Sequence, residues 1–253
     1  LSPVVARIDR LAVVRHPDRA ALGAAAGEAV AELVRRLLAA QSEVRMVFAA
    51  APSQRETLAT LVRAAGIDWG RVTAFHMDEY VGLPPAAPQR FGRFLEDHLF
   101  GLVRPGRVHF LDGGAEPAAE CRRYAALLAA APIDVVCLGV GENGHVAFND
   151  PPVADFHDSL AVKPVALDAA CRRQQVNDGC FAALDDVPTH ALTLTIPSLM
   201  AGRHLVCAVP GPTKRAAVAR LLSGSIGTDC PATILRTHPD CTLHVDRDSL
   251  PDA

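Results

Sequence analysis

Long apolar runs are absent from this chain. No stretch of its 253 residues approaches the ~18 consecutive apolar positions of a membrane-spanning helix, so no membrane role is expected. Basic blocks are absent as well. The formal charge is −3 and the isoelectric point about 6.4, which argues against nucleic acid as a partner. Aromatic residues make up only 5 %. Paired C-x-x-C cysteines are missing: the seven cysteines are odd in number and scattered, with Cys137 and Cys207 inside apolar runs. That pattern excludes a disulfide framework and points to a reducing, cytoplasmic setting. The first 18 residues lack the charged, apolar and small-residue layout of a signal peptide. Neither H-E-x-x-H nor G-x-S-x-G occurs, so neither a zincin-type metal site nor a serine-hydrolase elbow is expected.

What is present is half hydrophobic and suits one α/β domain spanning 1–253. Short apolar runs alternate with alanine-rich helical stretches. Strands are predicted at Leu11–Val14, Val44–Ala50, Val72–His76, Val108–Leu111, Ile133–Val140, Ala191–Ile196, His204–Val209 and Thr242–Val245. Helices are predicted from Arg19 to about Ala40, capped by Asp18, and over Ser53–Ala65, Phe91–Leu102, Glu116–Ala130 and Pro212–Leu222. This alternation predicts an α/β fold, a doubly wound, mainly parallel sheet with helices on both faces. Ligands of such folds bind beyond the carboxyl ends of the strands. The polar segment 150–186 shows no regular period and reads either as a lid or as a surface insertion.

Chemistry-bearing residues stand where strands end. The strand at Val72–His76 runs into His76-Met77-Asp78-Glu79-Tyr80, either a catalytic cluster or the capping acids of a helix. Strand Ile133–Val140 runs into Gly141-Glu142-Asn143-Gly144-His145, with Asp150 five residues on. Glycines there permit a tight turn and close backbone approach, and His145 is able to move protons near neutral pH. Gly139, Gly141 and Gly144 match G-x-G-x-x-G, but no acid follows about twenty residues later at a second strand end, so a dinucleotide site is weakly supported. His145 as an ordinary structural histidine is the competing reading. Convergence of His76, Asp78, Glu79 and His145 on a metal is also weakly supported.

Three further places suit an anion. Lys214 opens a helix after the strand His204–Val209, Ser53 and Gln54 open the helix after Val44–Ala50, and Arg172 and Arg173 sit in the irregular segment. Each also has a plainer account: a solvated lysine, a helix cap, surface arginines.

AFHMDEYVGL (Ala74–Leu83) and GENGHVAFNDPP (Gly141–Pro152), followed in order by HALTLTIPSLM, GPTK and ILRTHPDCTLHVD, resemble the glucosamine-6-phosphate deaminase (isomerase) family, which shares a superfamily with 6-phosphogluconolactonase. Lactonases typically carry Asp-Glu-Arg where this chain has Asp78-Glu79-Tyr80. The resemblance implies conversion of glucosamine 6-phosphate and water to fructose 6-phosphate and ammonia, without metal or organic cofactor. By position, Asp78 would move the proton between C2 and C1, His145 would open the ring, and Asn143 and Asp150 would support His145. Ser53, Gln54, Glu79, Gly144, Lys214 and one of Arg172 or Arg173 would hold the sugar and its phosphate. Three readings remain in play: the deaminase, a sugar-lactone hydrolase, and a non-catalytic sugar-phosphate sensor. The partner expected is a small-molecule sugar phosphate, and the family includes both monomers and hexamers, so a homo-oligomer stays open.

The chain departs from the family pattern in places. Asn143 replaces an acid, so it is able to hold His145 by a hydrogen bond but offers no charge. Asp150 replaces a glutamate one methylene longer. The glycine-rich phosphate loop after the second strand is replaced by Ala49-Ala50-Ala51-Pro52-Ser53-Gln54, where Pro52 removes a backbone donor.

Overall fold

The computed structural model describes residues 6–250; residues 1–5 and 251–253, which the sequence reading includes in its single domain, lie outside the described residues. In chain order the main elements are β1 (Ala6–Ile8), β2 (Leu11–His16), α1 (Arg19–Ala40), β3 (Val44–Phe48), α2 (Arg55–Arg63), β4 (Val72–His76), β5 (Asp78–Tyr80), α3 (Phe91–Leu95), α4 (Gly101–Val103) and β6 (Arg107–His109). There follow α5 (Pro117–Ala129), β7 (Val135–Leu138), β8 (Val162–Ala166), α6 (Ala169–Asn177), β9 (His190–Leu194), α7 (Ile196–Met200), β10 (His204–Val209), α8 (Arg215–Ser223) and β11 (Cys241–Asp246).

Local chemistry sets several boundaries. Asp18 caps α1 by accepting from the Ala21 amide at 2.8 Å. Glu116 caps α5, accepting from Ala118 and Ala119, with Pro117 at the first helical position. The stretch predicted as one amphipathic helix over Phe91–Leu102 is α3 and α4 joined by a wider π turn at Glu96–Phe100.

The main sheet has eight strands in the order β1-β2-β11-β10-β7-β3-β4-β6. Every pairing except β1–β2 is parallel. Its strands alternate sides. Met46, Phe48, Val135 and Cys137 join the core that packs under α1 and α2, while Val47, Val136 and Leu138 join the core under α5 and α8. Both faces are therefore covered, which is why these runs are mostly apolar, with buried Arg45, Thr73, His76 and His244 as exceptions, rather than alternating with exposed polar positions. The sheet is doubly wound. From β7, connections run outward through β3, β4 and β6 on one side and through β10, β11 and β2 on the other.

Two parts of the sequence reading need correction. The strand predicted at Ala191–Ile196 forms as β9, but it lies in a second, three-stranded antiparallel sheet, β5-β9-β8. The segment 150–186 is not without regular structure, since it contains β8 and α6. Their patterns are masked because β8 is short and α6 buries Cys171, Gln174 and Gln175, polar or small residues that carry no apolar period.

Candidate active site

A cavity opens where β3, β4, β7 and β10 end. This is the crevice where a doubly wound sheet binds ligands.

Asp78 enters it from β5, immediately after the end of β4. Its carboxylate is 7 % exposed and accepts no hydrogen bond from the described residues. Burial, then the neighbouring Glu79, holds this carboxyl well above the usual carboxylate range. Strand geometry turns Glu79 to the opposite side. There its oxygens accept from the amides of Tyr80, Phe91 and Gly92 at 2.9, 3.1 and 3.0 Å, and Arg90 stands 3.6 Å away. Glu79 therefore ties the start of α3 to β5 and does not line the cavity, contrary to its expected contact with substrate.

The loop after β7 builds a second catalytic element. Gly141 donates to the His145 carbonyl at 2.9 Å and Gly144 to the Gly141 carbonyl at 3.0 Å, closing a tight turn. A Cβ on Gly141 would lie 2.2 Å from His145 Nε2, so the imidazole packs directly over backbone that only glycine leaves open. Nδ1 of His145 is 2.8 Å from Asp150 Oδ1, and the same oxygen accepts from Asn143 Nδ2 at 2.7 Å. Asn143 Oδ1 accepts from the His145 amide at 3.0 Å. Burial raises the Asp150 carboxyl, but donation by His145 and Asn143, with the Cys171 thiol alongside, brings it below the usual range. His145 Nε2 has no hydrogen-bond partner among the described residues and stands in the cavity wall. Gly144 is not part of that wall. It adopts φ +91° and backs onto Cys230, so its glycine serves the turn and not a ligand.

The quartet His76, Asp78, Glu79 and His145, only weakly supported by the sequence, does not converge among the described residues. His76 is fully buried, accepts from the Leu111 amide at 2.7 Å through Nε2, and is pushed down to about 3, first by burial and then by Arg90. Among the described residues, potential ligand atoms gather only at His145, Asp150 and Cys171, within 4.8 Å of one another. Two of these, His145 Nδ1 and Asp150 Oδ1, are in hydrogen-bond contact at 2.8 Å.

Lys214 closes the far end of the cavity. It stands in the turn Pro212–Lys214 after β10, 5 % exposed, with no hydrogen-bond or ion-pair partner among the described residues. Burial lowers its pKa while Asp178 and Glu142 oppose the shift. A buried cation without a partner, facing a cavity, is a place for an anion. Ser53 and Gln54 line the same end. Gln54 does so as an acceptor, because its amide group donates to the Ala208 carbonyl at 3.1 Å and to Ser53 Oγ at 3.2 Å.

Neither predicted arginine reaches the cavity. Arg172 is bound to the carbonyls of Leu184 and Val187 at 2.6 and 3.0 Å, and Arg173 lies in a separate outer groove with Glu142, Asn143 and Asn177. The side of α6 that faces the cavity presents Gln174, Gln175 and Asp178 instead, which sequence reasoning missed. Gln175 Oε1 accepts from Tyr80 OH at 2.8 Å, which leaves its NH₂ group as a donor, while Gln174 Oε1 accepts from the Glu142 amide at 2.8 Å and its NH₂ group donates to Asp178 Oδ2 at 3.4 Å. Phe91, Phe148 and Met77 supply an apolar wall. His157 and Asn177 are exposed outside the cavity. His238 is buried against the Gly202 carbonyl at 2.8 Å.

A buried carboxyl, a histidine and an unpaired lysine in one cavity at the strand ends suit an enzyme acting on an anionic substrate, and comparison with known proteins gives the class. The family model described as glucosamine-6-phosphate isomerases/6-phosphogluconolactonase matches residues 17–243. The chain belongs to that family. Glucosamine-6-phosphate deaminase 1 of Giardia intestinalis is 39 % identical over 202 residues, covering 77 % of this chain and 73 % of that protein. The glucosamine-6-phosphate deaminase of Listeria monocytogenes is 34 % identical over 82 % of this chain and 87 % of its own length. Among solved structures, a monomeric glucosamine-6-phosphate deaminase superposes with a TM-score of 0.85 at 28 % identity, over 94 % of this chain and 98 % of that one. The 6-phosphogluconolactonase of Thermotoga maritima, at 19 % identity, shares the fold with a TM-score of 0.77.

Proposed function

We propose that this chain is a glucosamine-6-phosphate deaminase, releasing ammonia and forming fructose 6-phosphate. The observation that carries the proposal is the Asp78 carboxyl group: buried, raised in pKa, and in one cavity with His145 and Lys214, with neither Asp78 nor Lys214 hydrogen-bonded through its side chain among the described residues. A carbon acid next to a carbonyl or iminium needs a strong, positioned base, and desolvation makes a carboxylate stronger.

The steps follow from that arrangement. His145, held at Nδ1 by Asp150, uses Nε2 to accept the C1 hydroxyl proton and pass a proton to the ring oxygen, opening the pyranose. Asp78 then removes the C2 proton; its electron pair becomes the C1–C2 double bond while the C1 carbonyl π pair passes to oxygen, which takes the proton held by His145 to give an enolamine. The same proton returns to C1, leaving an imine at C2. Water adds to C2, the nitrogen gains a proton, and ammonia departs. Asn143 positions Asp150 and the His145 backbone, while Lys214 and Ser53 receive the phosphate. The segment 150–186 acts as a wall over this cavity through α6, within a single domain. Its seven free cysteines support a reducing, cytoplasmic setting.

The test is ammonia release from glucosamine 6-phosphate beside free glucosamine and 6-phosphogluconolactone, in deuterated water. Ammonia from the phosphate ester, with deuterium at C1 of the product in the fraction of turnovers where Asp78 exchanges its proton, is the expected result. Lactone hydrolysis without ammonia would overturn it.

A further inference from the structure

We propose that Arg55 is the second cation of the phosphate subsite, engaging the substrate phosphate from a groove that adjoins the catalytic cavity along Ala50, Ala51, Pro52 and Asp178. The proposal rests on the sugar-phosphate reading of the site.

The need for it is electrostatic. A phosphate monoester carries about −1.5 to −2 charges at neutral pH. The cavity wall contains one ammonium, Lys214, and no guanidinium, and it also contains the carboxyl groups of Asp178 and, at the catalytic end, Asp78. One cation among two acids leaves a dianion poorly balanced. Arg172 is committed to two backbone carbonyls, Arg173 lies in an outer groove, and Arg90 is turned toward Glu79 at 3.6 Å.

Arg55 is placed differently. It lines a groove that shares Ala50, Ala51, Pro52, Phe91 and Asp178 with the catalytic cavity, so the two are one continuous depression. It is the first residue of α2 and follows Ser53 and Gln54 directly. Its side chain forms no ion pair with the described residues; the guanidinium rests over the Phe94 ring, 5.9 Å from the centroid. An aromatic face holds a guanidinium without neutralising it, which leaves the charge available to an anion. A cation at the N-terminal end of a helix is unfavourable toward the helix dipole, so the helix itself gives no reason for Arg55. An anion bound in the groove supplies one, gaining from both the guanidinium and the dipole. The charge also reaches the end of α6: the Cys180 thiol, pushed up to about 11 first by burial and by Asp178, is drawn back by Arg55.

The experiment compares wild type, Arg55→Met, Arg55→Lys and Arg173→Ala, the methionine preserving the packing of the stem on Phe94. KM for glucosamine 6-phosphate should rise about tenfold or more in Arg55→Met, with a much smaller change in kcat, and recover partly in Arg55→Lys. Arg173→Ala should leave KM unchanged. Binding of inorganic phosphate, followed by calorimetry, should weaken in parallel. If wild type releases no ammonia, the deaminase reading has failed on its own. The phosphate titration then still decides: weaker binding in Arg55→Met supports the assignment, and equal binding overturns it. An equal rise in KM in Arg55→Met and Arg173→Ala would also overturn it, because the effect would then belong to net charge alone.

Discussion

At one end of the cavity stand Asp78 and His145, the latter backed by Asn143 and Asp150; all four come from two short stretches of chain, each following a strand of the main sheet. Three of them are joined by hydrogen bonds spanning only two to seven residues. At the other end Lys214, Ser53, Gln54, Gln174, Gln175 and Asp178 come from three distant segments, the turns after β3 and β10 and the helix α6. Hydrogen bonds made inside one loop are set by its own spacing and turn chemistry. Contacts between remote segments depend on which side of a helix turns inward. The first end is therefore robust to divergence elsewhere in the chain, and the second is where substrate preference is free to change.

The largest effect should come from the base. Asp78→Asn is expected to lower ammonia release by about 10²–10⁴-fold while product binding persists, measured by steady-state rates and calorimetry. The same variant should be more stable than wild type at pH 7. Because the folded pKa of Asp78 is raised, the unfolded chain gives up that proton first as pH rises above about 4. The cost to folding grows from there and is complete above the folded pKa. Thermal melts should show the gain at neutral pH and its disappearance toward acid. Lower stability of Asp78→Asn at pH 7 would contradict the desolvated carboxylate.

Next is the loop that carries His145. Gly141→Ala places a methyl group 2.2 Å from Nε2, so the ring must move. A displacement of this order should cost about 10² in kcat with a small change in KM. Wild-type turnover would show that the loop yields more than its hydrogen bonds suggest.

At the other end the effect should fall on binding. Lys214→Met is expected to raise KM for the phosphate ester by about ten- to a hundredfold, corresponding to roughly 1.5–3 kcal/mol for a charged hydrogen bond. Its folded pKa is lowered, so the charged lysine costs stability at pH 7 and the cost fades only as pH rises toward the unfolded lysine value of about 10.4. The variant should melt higher at neutral pH while binding worse, a divergence that a merely structural lysine would not produce.

The smallest effect sharpens the contrast between the two neighbouring arginines and the cavity. Arg172→Ala removes the bonds to Leu184 and Val187 and should destabilise the fold by about 1–2 kcal/mol, read from denaturant melts, with KM unchanged. A raised KM would return Arg172 to the phosphate.

The parallel strands were legible because both their sides are apolar, and Asp78, His145 and Asp150 because they stand directly after such strands. Glu79 was misplaced by one position of strand alternation: adjacent to Asp78 in sequence, it faces the opposite side. β5 escaped notice because three polar or aromatic residues show no usable period, and β9 was assigned to the wrong sheet because an apolar run does not record its partner.

From its own order of residues the chain determines the α/β class, the strand ends that carry chemistry, and the tight loop that seats His145 beside Asp150, since these depend on period, turn geometry and short-range bonding. Tertiary structure decided the rest. It turned Gln174, Gln175 and Asp178 inward while Arg172 was taken up by carbonyls and Arg173 faced outward. It also buried Lys214 without a partner, and it joined the groove of Arg55 to the cavity. Those outcomes follow from how distant segments pack, where burial and charge are shared among residues that no local spacing brings together.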